Sequence, residues 1–206
     1  MRAVPAIVML LALSACASVP AEPTGDSVIS AKAIREIEAR SGGRLGIAVV
    51  DARGTLVSAD RGHERFAMCS TFKLLLAGQV LERAARGVSL RTPLVFTRAD
   101  LVSYSPGTEK LVGADGKGEQ RLGFAARDAV VLSDNTAANL ILTQIGGPSA
   151  FTAAPRRAGG AVARLDRVEP ELNENAPGDE RDTTSPIAMA TSAASYVFGD
   201  RLQPDY

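Results

Sequence analysis

The chain has no tryptophan, and its aromatic content is only 4% of 206 residues. The core must therefore be built from Leu, Val, Ile and Ala rather than from large rings. An excess of charge of one sign is also missing, since 23 basic residues balance 23 acidic ones. That balance gives no reason to expect nucleic acid or an acidic surface as partner. No apolar run approaches the ~18 residues of a spanning helix. Histidine occurs once, at His63, with neither an acidic triad pattern nor ligand spacing around it, and it reads as a surface or turn residue. With no His/Cys cluster, no metal site is expected, and the sequence calls for no cofactor. Two cysteines, Cys16 and Cys69, cannot make a disulfide framework. What remains is an ordinary globular composition, 46% hydrophobic and 22% charged, and a length that fits one modest domain.

Residues 1–16 stand apart from that domain. Arg2 supplies a minimal positive start, residues 6–13 form a short apolar run, and Leu13-Ser14-Ala15-Cys16 closes it. This is the layout of a secretory signal, and its end resembles the bacterial lipobox, in which the cysteine becomes the lipidated first residue. The plainer alternative is a signal peptide cleaved nearby with Cys16 incidental; lipidation is preferred because Cys16 directly follows Leu-Ser-Ala. Residues 17–29, with Pro20 and Pro23, read as a tether. The expected product is exported to the periplasm and held at the membrane by a lipid, with a domain over residues 30–206. Cys69 would then be an unpaired thiol, read as a small buried hydrophobe.

Periodicity predicts an amphipathic helix over residues 30–40, with Ile34 and Ile37 on its apolar face and Gly42-Gly43 behind it. Residues 44–50 and 55–59 read as two strands of a hairpin around the turn 51–54. Further helices are expected over 70–86, 122–132, 135–145 and 186–194, with a weaker one over 148–157 that Pro155 should break. Residues 164–182 form a charged loop too long for an ordinary connection. The fold class is α+β: a helical domain with an incomplete antiparallel sheet. Two strands alone are marginal in water and leave an open edge.

Three short segments carry chemistry. In Ser70-Thr71-Phe72-Lys73 the serine and lysine fall three apart on one helical face. A serine hydroxyl is a weak nucleophile until a neighbouring base takes its proton, and a desolvated lysine can do so. The helix N-terminus also offers N–H groups to a developing oxyanion. Taken alone the pair is weak, since about one chance match is expected in a chain of this length. Ser133-Asp134-Asn135 sits between two helices, where a cap is the plainer reading. Glu169-Pro170-Glu171-Leu172-Asn173 lies in the long charged loop.

In this order, the three segments resemble the active-site motifs of class A serine β-lactamases. The resemblance runs from about residue 30 to 189 and implies the β-lactamase/transpeptidase-like fold. It implies hydrolysis of a small-molecule β-lactam through a Ser70 acyl-enzyme, and so antibiotic resistance. Lys73 and Ser133 would move protons, the latter to the departing ring nitrogen, while Asn135 would bind the substrate's acylamino group. Glu169 would activate the deacylating water, with Asn173 helping to hold it. Whether Lys73 or Glu169 is the acylation base is left open. Arg167 and Asp182 match the ion pair that closes the family's Ω-loop. Tyr104, in Tyr104-Ser105-Pro106, is a candidate substrate wall, with a half-buried loop tyrosine as the plainer reading. A zinc β-lactamase is excluded by the lack of ligands, and a monomer is expected.

The family's fourth motif, a Lys-Thr/Ser-Gly strand, does not follow any of the four lysines, Lys32, Lys73, Lys110 and Lys117. The expectation is a C-terminally truncated member whose own activity is doubtful, because that strand supplies an oxyanion donor and a substrate-binding cation. Two other readings stand beside it: an inactive lipoprotein that at most binds or traps β-lactams, and a penicillin-binding DD-peptidase. Glu169 with Asn173 argues against the peptidase. Residues 110–121 look longer and richer in glycine than the family's segment.

Overall fold

The computed structural model describes residues 30–157, 163–199 and 201–202. The expected signal segment, Cys16 and the tether lie outside the described residues.

Helix α1 (Ala31–Ser41) opens on Ser30, whose hydroxyl accepts from the Ala33 N–H (3.3 Å), and closes on left-handed Gly42. Ile34 is buried, but Ile37 is 40% exposed, so the apolar face is narrower than its spacing predicts. Strands β1 (Ile47–Val50) and β2 (Leu56–Asp60) pair antiparallel, with Ala48 opposite Ala59 and an irregularity at Val49/Val50. Asp51 makes their turn, its Oδ1 accepting from the N–H groups of Arg53 and Thr55. The short strand β3 (Phe66–Ala67) pairs with a partner far along the chain, β6 (Thr183–Thr184).

Helix α2 (Phe72–Ala85) is the axis of the molecule. Phe72, Leu75, Leu76 and Val80 recur at helical spacing and are at most 1% exposed. Burying each contributes about 1.5–3 kcal/mol. Around α2 stand α3 (Leu122–Val131), α4 (Asn135–Ile145), α5 (Gly147–Arg157) and α6 (Pro186–Val197). The Phe72 and Phe151 rings meet edge to face at 5.9 Å. Helix α6 lies against β1 and β2, so the hairpin has a covered face rather than standing alone.

Two expectations need correction, and one stretch gains an explanation: within residues 110–121, β5 (Lys117–Arg121) pairs antiparallel with β4 (Pro93–Thr97). Phe96 lies over Gly118, where a Cβ would fall 2.6 Å from the ring, so glycine is required by close approach. Pro155 does not break α5, which runs on to Arg157; the Phe151 carbonyl four residues before it, which a proline gives no N–H, accepts from Gln79 Nε2 at 3.1 Å instead. Cys69 is exposed rather than buried, because it lies at φ +42° in a 3-10 turn (Cys69–Thr71) ahead of α2.

Candidate active site

Lys73 is the second residue of α2, three positions beyond Ser70, and is only 1% exposed. A buried ammonium requires partners on all sides, and the neighbouring segments supply them. Its Nζ lies 3.2 Å from Ser70 Oγ, 2.9 Å from the Ser133 carbonyl oxygen and 3.3 Å from Ser133 Oγ. It also donates to Asn135 Oδ1. Glu169 Oε1 stands 3.1 Å away, and both side chains of this ion pair are buried. That oxygen accepts no hydrogen bond, so its contact with the ammonium is one of proximity and charge. Ser133 Oγ donates to Ser70 Oγ at 3.0 Å, which closes a ring of two hydroxyls and one ammonium. Ser70 itself is exposed, at the mouth of a 510 Å³ cleft lined by Leu74, Val130, Met189 and Ala193 beside Lys73 and Ser133. A larger cavity of 620 Å³ lies behind the tip of the long loop, between Phe66 and residues 175–180, and none of the motif residues lines it.

Helix α4 brings the second motif into place. Its N-cap, Asp134, is fully buried: Oδ1 accepts from Ala137 N–H (2.8 Å) and Thr108 Oγ1 (2.9 Å), Oδ2 from Gly107 and Thr108 N–H (2.8 and 2.9 Å). The cap read from the sequence is present, and it also anchors the 107–108 backbone. Asn135 Nδ2 donates to the Ser103 carbonyl (2.8 Å), and Asn135 N–H to that of Tyr104 (3.0 Å). Tyr104 is thereby held through its backbone, at φ +61°, with its side chain 67% exposed and not half-buried. Cys69, Tyr104, Ser133 and Asp182 all take positive φ, strain of a kind that gathers at functional sites. Burial on one side raises the Cys69 thiol pKa, and the Glu169 charge adds to the rise.

The long loop delivers the third motif. Asp182, fully buried, accepts from the Asp166 and Arg167 N–H groups (2.7 and 3.0 Å) and from Arg167 Nε (2.6 Å). Arg167 also holds Glu174 through Oε2 (3.0 Å) and its carbonyl (2.6 Å). On the loop's outer edge, the Arg181 guanidinium and backbone N–H hold the Asp179 carboxyl down at about 2. Arg164 lowers Asp166 in the same way. Within the loop, Glu169 is 1% exposed, and its Oε2 accepts from Asn173 Nδ2 at 2.6 Å. The Glu169–Pro170 peptide is cis.

The structure thus joins Ser70, Lys73, Ser133, Asn135, Glu169 and Asn173 in one constellation and pairs Arg167 with Asp182. Cys16 lies outside the described residues. Sequence reasoning missed the Asp134–Thr108 contact and Asn139, which bonds the Glu169 backbone. The signal for Asn139 was its place four residues after Asn135 on the same helical face. Among the described residues, no group of three His, Cys, Asp or Glu side chains is arranged to hold a metal. No helix among them is long and apolar enough to cross a membrane.

A model of the β-lactamase enzyme family matches residues 30–204. β-Lactamase L2 of Stenotrophomonas maltophilia is 42% identical over 195 residues, covering 94% of this chain and 63% of that protein. β-Lactamase OXY-2 of Klebsiella oxytoca is 44% identical over 172 residues, covering 82% and 57%. Among solved structures, an ancestral (GNCA) class A β-lactamase superposes with a TM-score of 0.78 at 52% identity. The match covers 84% of this chain and 66% of that one. The chain therefore belongs to the β-lactamase enzyme family. Within that family its neighbours are class A, and the α+β architecture is theirs. It spans less than two thirds of the length of each of these relatives.

Proposed function

We propose that this chain carries the acylating and hydrolysing centre of a class A serine β-lactamase. The observation behind it is that Ser70 Oγ, Ser133 Oγ and Glu169 Oε1 all lie within 3.3 Å of one buried nitrogen, Lys73 Nζ. Lys73 first hands a proton to the Glu169 carboxylate, 3.1 Å away, and the neutral amine takes the Ser70 proton as Ser70 Oγ attacks the β-lactam carbonyl carbon. Glu169 returns its proton to the Lys73–Ser133 pair before the second half of the reaction. The Ser70 N–H, in the 3-10 turn that leads into α2, faces the developing oxyanion. As the ring C–N bond breaks, Ser133 Oγ gives its proton to the departing nitrogen and recovers one through Lys73. Asn135 meets the acylamino group, and Tyr104 forms an outer wall. Glu169 then takes a proton from a water held with the help of Asn173, the hydroxide attacks the ester, and Ser70 leaves with a proton restored. The Glu169–Asn173 contact favours this hydrolysis over the peptidase reading. Arg167 and Asp182 keep the Ω-loop closed over the ester. Export, lipidation at Cys16 and a monomeric state belong to the same reading.

The test is intact-mass spectrometry of the chain with a penicillin. Hydrolysis gives a transient adduct on Ser70 and released product, and Glu169→Ala should make the adduct persist. A lasting adduct on the parent chain would instead favour the trap reading. No adduct on a folded parent would sink both, and an Ala variant that turns over like the parent would sink the role of Glu169. Labelled palmitate absent from Cys16 in an expressing bacterium would remove the anchor.

A further inference from the structure

We infer that the cavity between β5 and α3 is a binding site for a small, neutral aromatic molecule that carries a hydrogen-bond donor. The cavity measures 340 Å³, a volume in the range of small-molecule sites, and shares no lining residue with the cleft at Ser70. Gln120 is its buried polar group. It faces inward from β5 and is 6% exposed, and its Nε2 donates to Asp128 Oδ2 at 2.6 Å. Its Oε1 accepts from nothing among the described residues. A buried amide oxygen without a donor is uncommon in folded proteins, and a donor carried by a ligand completes it.

The walls define the rest of the ligand. Phe124 (58% exposed) and Leu111 (42%) both line the cavity, so two large apolar side chains left to solvent border one space. A ring placed there stacks on Phe124 and takes apolar surface of both residues out of water. The charged lining cancels. Arg127 is held by Asp128 Oδ1 at 2.8 Å, and Arg121 shares an exposed face of β5 with Glu119. No excess charge selects an anion or a cation. Gly107 completes the lining: its N–H donates to Asp134 Oδ2 (2.8 Å), and a Cβ there would fall 3.0 Å from Asp128 Oδ2. An occupant therefore meets the backbone that Asp134 anchors, and the Gly107 N–H reports its arrival.

The test is a titration of the full chain followed by 1H–15N NMR, with benzamide, which has ring and donor, and methyl benzoate, which has the ring alone. Benzamide should shift the Gly107 N–H and the Gln120 side-chain NH2 saturably, with a Kd on the order of 1–10 mM for a ligand of its size. Methyl benzoate should bind the same place about two- to ten-fold more weakly, the effect of one net hydrogen bond. Phe124→Ala should weaken both by about two- to ten-fold through the lost ring contact. Equal affinity of the two ligands, unchanged affinity in Phe124→Ala, shifts centred on Ser133 and Asn135, or shifts that never saturate each overturn the inference. Should Phe124→Ala not fold, the two ligands on the parent decide alone. The readout is binding, so the result stands whether or not the chain hydrolyses a β-lactam.

Discussion

Replacing Asp182 by alanine should remove much of the domain's stability, and its magnitude can be worked from the contacts. Asp182 is fully buried and satisfies two backbone N–H groups and the Arg167 Nε. Each donor left unpaired costs about 1–3 kcal/mol, and breaking a buried ion pair from one side costs about 3–5 kcal/mol. Arg167 is 14% exposed and keeps both contacts to Glu174, so its charge is not abandoned. That places the loss at the low end, about 3 kcal/mol. A domain's whole stability is about 5–15 kcal/mol. At about 2–4 °C per kcal/mol for a chain of this size, the melting midpoint should fall by about 6–12 °C. Asp182 also sits at φ +56°, which alanine tolerates poorly. Asp182→Asn is therefore the needed companion: it accepts that backbone and keeps an acceptor, but loses the charge. Urea unfolding followed by circular dichroism measures both, and Asp179→Ala on the outer edge should shift the midpoint far less than Asp182→Ala. A loss below about 1 kcal/mol for Asp182→Ala would refute the assignment of a buried, mutually dependent ion pair.

Acid should loosen the same loop. Asp166 and Asp179 have folded pKa values below their ordinary range, so their contribution is complete above about pH 4 and fades as pH falls toward 2. Hydrogen exchange over residues 164–182, corrected for intrinsic rates, should show protection falling in that window; constant protection down to pH 2.5 would contradict it. Gly118→Ala forces a Cβ to within 2.6 Å of the Phe96 ring and should cost about 1–3 kcal/mol in urea unfolding; an unchanged midpoint would show that the ring yields freely. Cys69 should be alkylated by iodoacetamide without unfolding, with a rate that rises with pH to a midpoint above the ordinary ~8.5 of a thiol. A midpoint below that would mean a cation, rather than burial and the Glu169 charge, governs the thiol.

The helices were legible because their stop and start signals act locally. Ser30, Asp134 and Ser185 each cap the helix that follows, and Gly42 and Gly146 end theirs in the left-handed conformation. Strand β5 was not legible. Its inward residues are Gly118 and Gln120, neither of them hydrophobic, so the alternation that marks a strand is present in burial but invisible in residue type. The three motifs announced residue types and order, and the structure gathers them around Lys73. Asn139 left only its place one turn beyond Asn135 as a sign, because its bonds go to the Glu169 backbone, and any residue has a backbone. Cys69 was misjudged because its exposure follows from a turn conformation that composition does not encode.

Lys73 has three hydrogens to give and five oxygens within 3.3 Å: four that accept from it, on Ser70, Ser133 twice and Asn135, and the Glu169 carboxylate oxygen that shares its charge. At any instant at least two of these oxygens go without a hydrogen. Turning the ammonium about its Cε–Nζ bond exchanges which two they are and moves no heavy atom. The frame around it is rigid, held by buried helices, while the arrangement of its protons is degenerate. A site of this kind can redirect a proton between partners by rotation, with solvent and side chains staying where they are. Its economy lies in being short of hydrogens.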